Sequence, residues 1–87
     1  MIRGLPYSDE RLAKIMGLDP NEFMFLPGKE EIKRIVRAYN YALNEERAII
    51  GLTSIMQKYR RDELVQSAIP KLITHIKLRL WDLRLGK

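Results

Sequence analysis

The sequence contains no cysteine, one histidine and no apolar run longer than four residues. Without cysteine, disulfides, thiolate metal sites and cysteine nucleophiles are excluded. With His75 as the single histidine, a histidine-rich metal site within one chain is excluded too. The apolar runs fall far short of the ~20 residues of a membrane span, and the N-terminus lacks the apolar stretch of a signal peptide. We therefore expect a cytoplasmic protein that holds no metal and no cofactor.

Patterns typical of a catalytic site are equally scarce. The chain has no glycine-rich phosphate loop and no nucleophile elbow. The carboxylate pairs Glu30-Glu31 and Glu45-Glu46 join neighbours in sequence, whose side chains diverge by about 100° on a helix. They do not form a catalytic dyad by themselves. We expect a protein that is not an enzyme.

Capping residues predict two short helices at the N-terminus. Ser8 is a good N-cap, and Gly17 is a natural residue to end the helix that Ser8 begins. Asp19 caps a second helix, which Pro27-Gly28 ends. Residues 1–28 are therefore predicted to form a cap of two short helices.

Residues 29–59 have apolar side chains at spacings of three and four, which predicts a helix. A continuous helix of this length would measure ~45 Å. Two weak points leave a break open: Asn44 could cap a new helix, and Gly51 costs ~1 kcal/mol relative to alanine. The positions seven apart are all apolar and predict the seam of a helix pair. They are Ile35, Ala42, Ile49 and Met56.

A last helix is predicted to begin after Asp62 and to continue through Pro70 with a kink. Residues 76–80 alternate apolar and basic, as a half-buried strand does, but leucine favours the helix. The predicted fold is all-α, with residues 1–87 as one helical domain. Two short helices precede a long antiparallel helical hairpin over residues 29–87. Because one hairpin covers its apolar face poorly, we expect a partner chain, in a homo- or hetero-oligomer, to complete the bundle.

Positive charge is concentrated in the hairpin. Residues 1–28 carry a net charge of −1 and residues 29–87 a net charge of +6. Lysine and arginine along helices neutralise phosphates without reading sequence. The alternative is a solvated surface, on which neighbouring glutamates pair with much of this charge. The predicted nucleic-acid-binding residues are Lys33, Arg34, Arg37, Lys58, Arg60, Arg61, Lys71, Lys77, Arg79 and Arg84.

Residues 11–26 partly match a helix-turn-helix, because Ala13 and Gly17 have the spacing of that motif. Its second helix would be residues 21–26, which are mostly apolar and contain no lysine or arginine. A helix that reads bases needs arginine, lysine, asparagine or glutamine aimed at base edges, and this one is short, apolar and ended by Pro27. Sequence-specific recognition of DNA is therefore disfavoured.

The last helix has apolar residues on two opposite sides. Ile76, Leu80 and Leu83 share one face by helical spacing, and Leu78, Trp81 and Leu85 lie on the other. The second face must be covered as well, and one hypothesis is a protein interface anchored by Trp81, because tryptophan is frequent at interface hot spots. The alternative is a lid from the N-terminal segment over Trp81. The lid residues would be Leu5, Tyr7, Phe23 and Phe25.

Two functions follow from these patterns. The preferred hypothesis is a small non-catalytic protein that grips duplex nucleic acid non-specifically through the basic hairpin. The alternative is an accessory or adaptor subunit that docks on a larger DNA- or RNA-processing complex through Leu78, Trp81 and Leu85. We expect neither a membrane nor a small-molecule substrate as the partner.

Overall fold

The computed structural model of the protein describes residues 7–42 and 44–84, with side chains described as far as residue 78. Every element in these ranges is a helix, which confirms the predicted all-α class. Helix α1 packs against α2 and α5, and α4 packs against α3 and α5. The helices are α1 (Asp9–Ile15), α2 (Pro20–Met24), α3 (Lys29–Ala42), α4 (Glu45–Lys58) and α5 (Glu63–Arg84).

The two short helices begin where their caps predict. The Ser8 hydroxyl accepts a hydrogen bond from the Arg11 backbone N–H at 3.1 Å. Asp19 and Glu22 form a reciprocal capping box, in which each side chain accepts from the other's backbone N–H. After α1 the chain turns through Gly17 with a φ of +71°, a conformation that favours glycine. The prediction of two helices over residues 1–28 is confirmed.

The segment 29–59 forms two helices, so of the two alternatives that the sequence left open the structure has the break. The break falls at Asn44, whose side chain accepts a hydrogen bond from the Arg47 backbone N–H at 3.0 Å and so caps α4. The chain reverses there, and α3 and α4 pack side by side in antiparallel fashion. A hairpin of two helices is thereby replaced by three antiparallel helices, α3, α4 and α5.

The predicted heptad seam disappears with that break. Ala42 is exposed, while Ile35, Ile49 and Met56 are only partly buried. The fully buried residues of α3 are Ile32, Val36 and Tyr39, and those of α4 are Ala48, Leu52 and Ile55. A period of seven requires one long helix with a single partner, whereas each of these shorter helices contacts several neighbours.

The last helix is continuous, as predicted, and is anchored at its start. Asp62 accepts from the Val65 backbone N–H at 3.0 Å, and Pro70 lies inside the helix with its ring exposed. Residues 76–80 are helical, so the strand alternative is excluded. The Gln66 amide donates to the carbonyls of Met56 (2.8 Å) and Tyr59 (3.2 Å). Since carbonyls at a helix C-terminus lack partners within the helix, these bonds tie the end of α4 to α5.

All five helices contribute to one apolar core. Tyr39 reaches across it, and its hydroxyl donates to the Ile76 carbonyl at 3.5 Å. Among the described residues no buried polar side-chain atom lacks a hydrogen-bond partner. The core residues are Leu12, Ala13, Met16, Phe23, Leu26, Ile32, Val36, Tyr39, Ala48, Leu52, Ile55, Val65, Ala68, Ile69, Leu72 and Ile76.

The N-terminal segment covers the core differently from the predicted lid. Phe23 is buried in the core, while Phe25 is 81% exposed, so these two residues do not act together as the lid alternative expects. Tyr7 does reach α5: its ring packs edge-on against His75, and the two are joined by a 3.2 Å hydrogen bond. Leu5 and the Trp81 side chain lie outside the described residues.

Candidate docking groove

An apolar groove of about 380 Å³ lies between α3 and α4, where the chain has just reversed at Asn44. Ala38 and Ala42 are exposed on α3, one turn apart, and face Ala48 and Gly51 of α4 across the groove. Their small side chains do not fill the space between the helices. Ile35 and Tyr39 complete the apolar lining.

Gly51 allows α3 and α4 to approach closely at this point. A Cβ atom at position 51 would lie 2.9 Å from Cδ1 of Ile35, closer than a normal contact. The Ile35 side chain therefore occupies the space that Gly51 leaves. The contact between Ile35 and Gly51 divides the groove into two hollows.

The second hollow, of about 200 Å³, continues along the same pair of helices. It shares Arg34, Ile35 and Gly51 with the first and extends to Ser54 and Lys58 of α4. From Arg47 to Lys58 the two hollows follow about three turns of α4, or ~16 Å at 1.5 Å per residue. A concave apolar surface of this length resembles the grooves in which proteins receive a helix of a partner.

Two arginines stand on opposite walls of the first hollow, Arg34 on α3 and Arg47 on α4. Both side chains are exposed. Among the described residues, neither guanidinium lies within ion-pair distance of a carboxylate. The walls of the groove therefore carry positive charge that the described part of the chain does not neutralise.

The far end of the groove carries an ion pair. Lys58 Nζ lies 3.4 Å from Glu31 Oε2, and the Tyr59 hydroxyl donates to the other oxygen of the same carboxylate at 3.4 Å. The hydrogen bond to Glu31 and its negative charge raise the pKa of Lys58 above its ordinary value of 10.5. Glu31 is thus engaged by two neighbours and does not balance the arginines.

The basic residues predicted to bind nucleic acid lie on several elements of the fold. Lys33 pairs with Asp9 of α1 at 3.1 Å, and Lys58 pairs with Glu31. Lys71 lies against Gly17 at the end of α1. The others with described side chains are exposed on three different elements. Arg34 and Arg37 lie on α3, Arg60 and Arg61 at the α4–α5 turn, and Lys77 on α5.

The predicted protein-interface residues are only partly described. Leu78 is 59% exposed on α5. The side chains of Trp81, Arg79 and Arg84, and all of Leu85, lie outside the described residues. Whether Trp81 anchors an interface or is covered by the N-terminal segment stays a prediction.

The sequence reasoning missed the residues that form the groove. Arg47 was not among the predicted binding residues, and Gly51 was noted only as a weak point of a long helix. A usable signal was present: a break at Asn44 brings Ala38 and Ala42 opposite Ala48 and Gly51. The sequence equally allows one continuous helix, in which those residues would lie far apart.

No family model, curated protein or solved structure matches this chain. Within the described residues, no group of three or more histidine, aspartate or glutamate side chains is arranged to hold a metal ion. None of the described helices is both long and apolar enough to cross a bilayer.

Proposed function

We propose that this protein is a non-catalytic docking subunit whose α3–α4 groove receives a helix of a larger protein. The observation that carries the proposal is the groove itself, whose two hollows are open to solvent, mostly apolar and follow one another along two antiparallel helices. A third helix laid along such a pair buries its own apolar stripe together with the groove lining. The protein is thereby assigned an accessory role in a complex.

The apolar surface extends beyond the groove. Tyr41 is 78% exposed and follows Ala38 by three residues, and Ile50 is 62% exposed and follows Arg47 by three. On a helix, residues three apart are neighbours. Single exposed apolar residues are ordinary on a protein surface, but apolar residues gathered around a concave feature mark an interaction site. This arrangement supports docking at the α3–α4 face.

Binding to the phosphate backbone of nucleic acid is the second candidate function. It is favoured by Arg34, Arg37, Arg60 and Arg61, which are exposed and make no ion pair among the described residues. It ranks second because two of the predicted lysines are already paired with carboxylates and the rest are spread over several elements. For the docking subunit, the exposed residue Leu78 of α5 offers a second surface on which a partner could bind.

Affinity purification of the full chain from native cells, with and without nuclease, tests the proposal. The substitution Ala38→Trp fills the groove at an exposed position, and Thr53→Trp adds the same side chain to an exposed position of α4 outside the groove. We expect a protein partner that survives nuclease, binds the Thr53→Trp variant and is lost with Ala38→Trp. The partner should bind again when both proteins are purified and mixed.

Two results would overturn this function. A partner that disappears with nuclease, together with salt-sensitive binding of purified protein to duplex oligonucleotides, would favour the second candidate. A purified partner that binds Ala38→Trp as tightly as wild type would place docking elsewhere, for instance at Leu78.

A further inference from the structure

Resting on the proposed function, we infer that the helix received by the α3–α4 groove is acidic, with carboxylates on both flanks of its apolar stripe. The flanking carboxylates meet Arg34 on one wall and Arg47 on the other. The partner is thus an amphipathic helix whose polar border is negative.

The two arginines set this requirement because docking removes water from them. A guanidinium covered by a neutral helix loses hydration and gains no counter-charge, which opposes binding. A carboxylate in the same place forms a charge-assisted and often bidentate hydrogen bond with arginine. The groove therefore discriminates between helices of equal apolar character by the charge beside the stripe.

Glu31, the one carboxylate that lines the described groove, does not cancel the positive charge of the two arginines. Glu31 is held by Lys58 at 3.4 Å and by the Tyr59 hydroxyl at 3.4 Å. This pair is neutral as a unit, so Arg34 and Arg47 determine the charge that a docking helix meets.

A second copy of this chain is a poor occupant. Its α5 presents Lys71 and Lys77 to solvent, and these would repel the arginines. Several of its glutamates are gathered in the first turns of helices instead of following one face. They are Glu30, Glu31, Glu45, Glu46 and Glu63. Nucleic acid satisfies the arginines but leaves the apolar lining without a partner, since phosphates offer it no apolar surface.

A displayed peptide library provides the test. The library consists of helix-forming peptides of about five turns, ~18 residues, with a fixed apolar stripe and flanks randomised among Glu, Gln, Lys and Ala. Selection uses the full-length protein at low salt, followed by removal of peptides that still bind the Ala38→Trp variant. The Thr53→Trp variant, which leaves the groove unaltered, must retain the same peptides. Thermal melting checks that both variants fold.

We expect the surviving peptides to be enriched in glutamate on both flanks. Replacing those glutamates by glutamine in a synthetic peptide should weaken binding roughly three- to tenfold at low salt, and less at high salt. The double variant Arg34→Gln/Arg47→Gln should abolish the difference between the two peptides. Arg37 lies one turn from Arg34, on the side facing Tyr7. The variant Arg37→Gln should therefore preserve the difference in affinity between the two peptides.

Each failure has a separate signature. Groove-dependent peptides without glutamate enrichment would overturn the acidic partner and leave docking intact. A library that gives no peptide sensitive to Ala38→Trp would overturn docking itself. Displacement of a bound acidic peptide by a single- or double-stranded oligonucleotide at equal charge concentration would favour nucleic acid as the occupant.

Discussion

The side chain of Ile35 packs directly over Gly51, and a Cβ atom at position 51 would lie 2.9 Å from its terminal methyl carbon. This contact joins α3 to α4 and lies between the two hollows of the candidate groove. Glycine inside a helix normally costs ~1 kcal/mol relative to alanine. Here it permits a close approach that a larger residue would prevent.

Substitutions at Gly51 should separate helix propensity from packing. We expect Gly51→Ala to change the free energy of unfolding by less than ~1 kcal/mol, because the gain in propensity offsets a small shift of the flexible end of Ile35. Gly51→Val should destabilise by ~1–3 kcal/mol through overpacking. Gln57→Val, which introduces a β-branched residue at an exposed position of α4, is the matched control. Denaturant unfolding measures all three; equal stability of Gly51→Val and wild type would contradict the close approach.

The cap at Asn44 should stabilise the chain reversal. Asn44→Ala removes the acceptor for the Arg47 backbone N–H, and a loss of ~0.5–2 kcal/mol in the free energy of unfolding is expected. Asn44→Asp retains an oxygen acceptor and should stay within a few tenths of a kcal/mol of wild type. The measurement is thermal or denaturant unfolding of both variants. If alanine and aspartate behave alike, the side-chain cap contributes nothing.

Phe23 and Phe25 form a natural matched pair two residues apart. Phe23 is 2% exposed in the core, so Phe23→Ala should cost ~3–5 kcal/mol. Phe25 is 81% exposed, and Phe25→Ala should alter stability by less than ~0.5 kcal/mol. Unfolding of the two variants under identical conditions provides the comparison. A large loss with Phe25→Ala would show that this residue covers an apolar surface, as the lid hypothesis required.

The Glu31–Lys58 contact should make a small contribution to stability that depends on pH. The Glu31 carboxylate raises the pKa of Lys58 above 10.5. The stabilisation that this contact provides is therefore fully present below the unfolded-state pKa of lysine. It is lost as the pH rises through the higher folded-state value. The melting-temperature difference between wild type and Glu31→Gln should therefore shrink from about pH 10 upwards. Glu30→Gln removes the same charge one residue away and is the control. A melting-temperature difference that grows with pH would contradict a raised pKa of Lys58.

Much of the fold could be predicted because its signals are local. Ser8, Asp19 and Asp62 cap helices within three residues of themselves, and Gly17 follows the first of those helices with a positive φ. Such interactions depend on backbone geometry over one turn, which the chain specifies without distant contacts. The continuation of α5 through Pro70 followed from the apolar stripe on both sides of it.

The candidate groove could not be predicted in this way. Its walls are residues 34–42 and 47–58, which come together only because the chain reverses between them. The predicted binding residues Arg34 and Lys58 do lie along it, but Arg47 became visible only when α4 was placed beside α3. Residue pairs across a helix interface have no fixed sequence spacing, so local periodicity does not reveal them.

The chain reversal at Asn44 depends on both a local cap and tertiary packing. The residues around it allow either a capped new helix or a continuing one, since a missing cap costs only ~1 kcal/mol. Folding α4 back lets Ala48, Leu52 and Ile55 bury their apolar surface in the core that also contains Ile32 and Val36. Burial of several such side chains contributes more than one cap, at ~1.5–3 kcal/mol for each large aliphatic residue. The positions of the helix ends were thus set by local chemistry, whereas the use of Asn44 as a turn, and the groove that follows from it, were decided by which apolar faces could be buried together.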